Sequence, residues 1–373
     1  MTETVLCVDI GTTSLKAGLI TAAGEVVSFS KYTLKFCNQR FVAGKWLEGL
    51  RSCIKKITEK IKKEQFVIKA VSVSGNGPTI VSDSGMTLLW NEEYYVDRRR
   101  TEASLFLPRL IAFKELFPKE YNSTEHLFSG PEFLIYKLTG NPVTVLPEAR
   151  FLPAYWSEQD LLSKDVNINP GKLPLMKSIG ENLGYISDDI ISFLKMDDLI
   201  AGKIPVFSCG PDFTAALVGT NTLQPGKLCD RSGSSEGFNF CIDKFAPGEN
   251  LRLLPSVIPG LWNISALITN SSKLSEKKRL LKIKEAVDLL KKYAEDNKID
   301  FPSEIWATGG QTKNVQWMNN KAKALKMKLM VCECSDSELL GDACAAWFGL
   351  GKFKSLQDAA ENIVRVSRKY ENL

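Results

Sequence analysis

A chain of 373 residues is long enough to bury a large core, and its length favours two domains over one. Its 44% hydrophobic and 24% charged residues are those of an ordinary globular protein, and a net charge of +5 scattered along the length gives no nucleic-acid-binding patch. One histidine, His126, nearly excludes His-dependent triads and His-rich metal sites, while nine cysteines without a CxxC read as reduced core thiols. Cys332 and Cys334, the one close pair, have no nearby partners to make a zinc site. No apolar run is long enough to span a bilayer, and the first strand starts where a signal peptide would need its positive flank, so a cytoplasmic protein without a membrane partner is expected.

In chain order, "TVLCVDI" reads as a buried strand, and "SLKAGLI" and "EVVSFSKYTL" as alternating strands joined by a turn at Gly24. Trp46, Leu47, Leu50, Ile54, Ile57 and Ile61 recur at helical spacing and predict a helix over 45–63. "FVIKAVSVSG" is a further strand, so the opening is an α/β unit whose ligands gather at strand ends. Residues 100–205 read as helical elaboration. The order then recurs: hairpin material over 226–243 and 252–269, a helix over 275–297, strands in "SEIWATGG" and "KLMVCE", and helices over 337–351 and 355–370. Two similar α/β halves imply a cleft, with the joint near "GTNTLQPGK".

"VDIGTTSLKAGL", residues 8–19, places Asp9 at a strand end, and Gly11 lets the backbone turn close to a ligand. Thr12, Thr13 and Ser14 supply hydroxyls beside free backbone N–H groups, as a phosphate requires, and Asp9 can hold magnesium through water. The loop is neither a Walker loop nor a dinucleotide fingerprint, and alone it is equally a tight hairpin. Gly233, Ser234 and Ser235 form a second hydroxyl-rich turn in "CDRSGSSEGF". A third, "ATGGQTKN", follows a strand and opens a helix, where a nucleotide's ribose and α-phosphate can meet N–H groups. Three such turns at equivalent points argue against hairpins alone.

With these motifs the chain resembles the FGGY carbohydrate kinases of the actin-like ATPase superfamily over nearly its full length. "DIGTTSLKAGL" resembles the first phosphate loop, "SGSSEG" the second, and "ATGGQTKNVQWMNNKAKAL" the adenosine motif and its helix. Residues 105–140 resemble the segment ending in Tyr-x-x-LTG, and "IPVFSCGPDFTAALVGTNTLQPG" the stretch with the catalytic aspartate. The resemblance implies two RNase H-like, actin-like domains with an interdomain cleft: 1–222 for sugar binding and catalysis, and a shortened 223–373 for the nucleotide. It implies ATP and Mg²⁺ as cofactors and phosphorylation of a small sugar or polyol, as in xylulokinases or gluconokinases. Asp212 is then the general base, and a helix N-cap is compatible with that role. Gly11, Thr12, Thr13, Ser14, Lys16, Gly233, Ser234, Ser235, Gly309, Gly310, Gln311 and Asn314 fall to the nucleotide. Asn76, Asp97 and Arg99, with Asp212, fall to the sugar, although 97–100 also reads as a solvated charge cluster.

Two departures stand out: Gln311 replaces a glycine of the adenosine motif, and only 75 residues separate Gly233 from Gly309 where the family has a longer stretch. They motivate a second reading, a catalytically impaired nucleotide- or sugar-binding sensor or partner protein. The acceptor sugar has no signature in the sequence. Nor has oligomeric state, although a homodimer is the commonest soluble assembly.

Overall fold

The computed structural model describes residues 1–34, 39–93, 104–233 and 235–371. The first sheet begins as an antiparallel meander of β1 (Thr2–Ile10), β2 (Ser14–Thr21) and β3 (Val26–Thr33). Helix α1 (Trp46–Thr58) buries Trp46, Leu50, Cys53, Ile54 and Ile57 against β2 and β3, ending five residues before the expected limit. It leads to β4 (Phe66–Gly75), which pairs parallel with β1.

Residues 76–93 and 104–205 form an insertion with its own apolar core around Phe106, Leu110, Phe113, Phe151 and Tyr155. The sequence predicts helical elaboration over 100–205, and the described part of that stretch also contains three short strands, with two more preceding it. Strands β5 (Ile80–Ser82), β6 (Thr87–Leu88) and β7 (Leu127–Phe128) make one small sheet, and β8 (Val143–Leu146) and β9 (Leu175–Ser178) another. Its helices are α2 (Leu107–Leu116), α3 (Pro118–Ser123), α4 (Gly130–Thr139), α5 (Glu158–Leu162) and α6 (Asp188–Leu194). The strands are only two to four residues long, too short for a periodicity to show. The chain then returns as β10 (Val206–Pro211), parallel to β4, and enters α7 (Asp212–Gly219).

The second sheet contains β11 (Leu228–Ser232), β12 (Glu236–Ile242), β13 (Arg252–Pro255), β14 (Trp262–Ile268), β15 (Glu304–Thr308), β16 (Lys328–Cys332) and β17 (Val366–Tyr370), in the order β13-β14-β12-β11-β15-β16-β17. Its helices are α8 (Glu276–Asp296), α9 (Val315–Leu325), α10 (Ser337–Gly349) and α11 (Leu356–Ile363). Strands β14-β12-β11-β15-β16 repeat the order and directions of β3-β2-β1-β4-β10: two antiparallel pairings, then two parallel ones. The chain is thus an α/β protein built on one sheet topology used twice. The helix expected over 355–370 stops at Ile363, and 366–370 is an edge strand antiparallel to β16. There the alternation of "VSRKY" and its ladder to β16 outweigh any continuation of the helix.

Helix α10 lies against β1, β4 and β10 of the first sheet and crosses α7. Two glycines make that crossing close. A Cβ at Gly341 would stand 2.0 Å from the Ala215 carbonyl oxygen, and one at Gly219 would stand 1.8 Å from that of Ser337. With helices on both sides, β1 is buried along seven consecutive residues, which explains its apolar run Val5–Val8. All eight described cysteines are free and buried; β16 ends at Cys332, and Cys334 lies in the turn beyond.

Candidate functional site

Antiparallel pairing of β1 and β2 sets Asp9 opposite Lys16. Lys16 Nζ lies 3.0 Å from Asp9 Oδ2 and 3.0 Å from Asp336 Oδ1, joining the first turn to the segment that opens α10. Burial opposes the charge of Lys16, but Asp9, Glu338 and Asp336 outweigh it and raise its pKa well above the usual lysine range. The turn closes with Gly11 N donating to Ser14 O at 2.9 Å. Ser14 is buried, Thr12 half-buried and Thr13 exposed. Trp90 Nε1 donates to Thr12 Oγ1 at 3.0 Å, and Trp90 N to Thr79 Oγ1, which itself donates to Asn76 Oδ1 at 3.1 Å. Asn76 N in turn donates to Ile10 O, so the candidate sugar residue Asn76 abuts the first turn. Asp97, Arg99 and Ser234 lie outside the described residues.

In the second turn Gly233 N donates to Ser235 O at 2.9 Å. Behind it is a buried charge network: Lys321 of α9 contacts Asp230 and Glu236, all three fully buried, and the partly buried Arg279 donates through Nε to Glu236 Oε2 at 2.9 Å. Burial works against the Lys321 charge, yet the two carboxylates outweigh it and keep Lys321 protonated. The network fixes both strands leading to the turn.

Gly309 opens the third turn at φ +98°, and a Cβ there would stand 1.9 Å from Ser232 O, so the second and third turns touch through a position only glycine fits. Gly310 has open space at its Cβ position. Gln311 Oε1 is buried without a partner among the described residues. Asn314 Oδ1 caps α9 by accepting from Trp317 N at 3.0 Å, so that oxygen already has a local partner. Lys313 Nζ lies 3.7 Å from Asp336 Oδ2.

Asp212 stands at the start of α7, presented by Gly210 at φ +81° and Pro211. Arg231 Nη1 of β11 reaches it at 3.3 Å from Oδ1, and 29% of each side chain meets solvent. Protein surrounds Asp212, but its side chain is only partly covered. Burial raises its pKa above the ordinary carboxylate range, with Arg231 opposing and Asp9 adding to the rise. Asp9, Lys16, Asp212 and Arg231 therefore come together from both sheets. Glu338, in the first turn of α10, joins them: burial pushes its carboxyl up to about 7, with Lys16 opposing and Asp9 adding, and its Oε2 has no partner among the described residues.

Arg231, Asp336 and Glu338 are the charged members that the sequence reading did not select. The acidic "SDSE" at a strand-to-helix junction was the available signal for two of them, since strand ends collect ligands in α/β sheets. Arg231 inside a strand gave none.

No family model matches the chain. The xylulose kinase of Staphylococcus epidermidis is 23% identical over 291 residues, a match covering 70% of this chain and 58% of that protein. The chain thus matches little more than half the length of this curated relative. Among solved structures, the xylulose kinase of Rhodospirillum rubrum superposes with a TM-score of 0.75 at 16% identity, covering 99% of this chain and 94% of that one. The glycerol kinase of Plasmodium falciparum, solved with ADP, gives 0.77 at 15% identity over 99% and 94%. The chain has the two-lobed, actin-like fold of these sugar kinase structures.

Proposed function

We propose that the chain is a carbohydrate kinase that transfers a phosphoryl group from ATP to a hydroxyl of a sugar or polyol. The observation that carries this reading is Asp212: a partly exposed carboxylate of raised pKa at a helix start, facing Asp9, Lys16 and Arg231. Asp212 accepts the proton of the attacking hydroxyl, and its raised pKa makes it a stronger acceptor than an exposed aspartate. Lys16 and the N–H groups of the turns at Gly11 and Gly233 bind the nucleotide phosphates, and the turn at Gly309 to Asn314 receives the nucleoside. The sugar lies between Asp212 and Asn76, with Asp97 and Arg99 as further hydroxyl ligands. On this reading 1–222 forms the sugar-binding lobe and 223–373 the nucleotide lobe.

Among the described residues no three His, Cys, Asp or Glu side chains are grouped to hold a metal. A single carboxylate ligand, Asp9, suits magnesium, which usually keeps several waters and takes its other ligands from substrate phosphates. Bound there, magnesium would neutralise charge on the phosphates. Asp336 and Lys16 would orient Asp9 through the ion pairs they already make.

Gln311 in the third turn and the short stretch between Gly233 and Gly309 favour one second reading, a catalytically impaired nucleotide- or sugar-binding sensor or partner protein of the same fold. A coupled ADP-release assay against pentuloses, hexuloses, aldonates and polyols separates the two. Sugar-dependent turnover is expected; ATP binding without turnover on any acceptor would favour the sensor.

A further inference from the structure

We propose that Arg231 is a second catalytic group, one that leaves Asp212 for the phosphoryl group in transit; this rests on the kinase reading above. Strand alternation is the first argument. Asp230 and Ser232, on either side of Arg231, both turn toward the buried network, where Ser232 Oγ donates to Asp230 Oδ1 at 3.1 Å and Lys321 contacts Asp230. Arg231, between them, is thrown to the opposite face, toward Asp212. Its backbone is held by pairing with Gly237 on one side and Thr308 on the other. The result is a fixed strand that presents a long cation two residues before the second turn.

The second argument is the incomplete use of that cation. A guanidinium has five N–H donors in a planar fork suited to carboxylate or phosphate oxygens. Nη1 lies 3.3 Å from Asp212 Oδ1, while Nε is buried without a partner among the described residues. A buried donor left unmade is costly, and a guanidinium that swings off Asp212 brings Nε within reach of a phosphoryl oxygen as the missing acceptor.

The third argument is charge timing. As the hydroxyl oxygen forms its bond to phosphorus, its proton passes to Asp212, and the bond from phosphorus to the bridging oxygen breaks with the electron pair remaining on ADP. Asp212 thereby loses its negative charge and its hold on Arg231 at the moment when charge spreads over the equatorial phosphoryl oxygens. The guanidinium stays protonated throughout, and its better partner changes from carboxylate to phosphoryl group.

The test compares wild type, Arg231→Met and Arg231→Lys as full chains. It measures sugar-dependent turnover and, by calorimetry, binding of ADP alone and of ADP with orthovanadate, whose trigonal oxygens imitate the phosphoryl group in transit. Arg231→Met is expected to lower kcat by about 10²–10³-fold with KM values within about threefold. It should weaken the vanadate complex by about 10²-fold while leaving ADP alone unchanged, and lysine should recover part of both losses. A kcat within about threefold of wild type, an unchanged vanadate complex, or an equal loss of ADP binding would each overturn the proposal. If wild type turns over no sugar, the kinase reading falls, and the vanadate comparison still judges Arg231.

Discussion

Ser74 of β4 donates its hydroxyl to Asp342 of α10 at 2.7 Å, and Ser72 donates to the other oxygen of the same carboxyl at 3.0 Å. This joins the central strand layer of one sheet to a helix that arrives from the chain's far end. Burial drives the Asp342 carboxyl well above the ordinary aspartate range, with the two serines opposing and Asp9 adding. The folded protein therefore retains a proton that the unfolded chain releases above about pH 4, so stability falls as pH rises through that window. Asp342→Asn removes the titration and is expected to flatten the decline by up to about 1.4 kcal/mol per pH unit. Urea midpoints of both proteins from about pH 4.5 to about pH 8 check this, and parallel curves would show that Asp342 does not titrate differently on folding.

Lys321→Met keeps the volume of a fully buried side chain but leaves Asp230 without its cation, while Glu236 retains Arg279. Removing one partner of a buried ion pair costs about 3–5 kcal/mol. The double variant Asp230→Asn with Lys321→Met should regain most of that loss, because no unpaired charge remains. Chemical denaturation of the three proteins measures both outcomes.

Arg150 reaches from the insertion to the β13–β14 hairpin. Its Nη2 donates to Ile258 O at 3.2 Å and Leu261 O at 3.0 Å, its guanidinium lies 4.7 Å from the Trp262 ring centroid, and Glu148 Oε2 holds its Nε at 2.7 Å. Arg150→Ala should lower Tm by a few degrees and speed amide exchange over residues 256–262. Unchanged exchange there would mean that the hairpin is held by packing alone.

Much of this arrangement was legible in the sequence because it is written locally. The glycines at 11, 233 and 309 each mark a turn at a strand end, and the buried runs of β1 and β4 announce a sheet covered on both faces. Arg231 was not legible, since an arginine inside a strand reads as a solvent-facing residue until the opposite lobe is in place. Asp336 and Glu338 depend on α10 crossing to the first sheet, a contact between parts of the chain more than 300 residues apart that no periodicity encodes. The strand at 366–370 was missed because its pairing partner, β16, decides its state more than its composition does.

Asp9→Ala tests the metal role. Lys16 keeps Asp336 as a partner when Asp9 is truncated, so Tm should stay within a few degrees of wild type. ATP binding should lose its dependence on magnesium, measured by calorimetry with and without the metal. A large fall in Tm with an unchanged magnesium response would make Asp9 a structural residue.

The most direct test of the central claim is the turnover of Asp212→Asn. Asparagine preserves the volume and much of the helix-capping ability at the start of α7 while removing the proton acceptor. Sugar-dependent ADP release is expected to fall by about 10²–10⁴-fold, with sugar binding retained because the lost interaction belongs to the transition state. An Asp212→Asn protein that turns over at close to the wild-type rate would contradict the account.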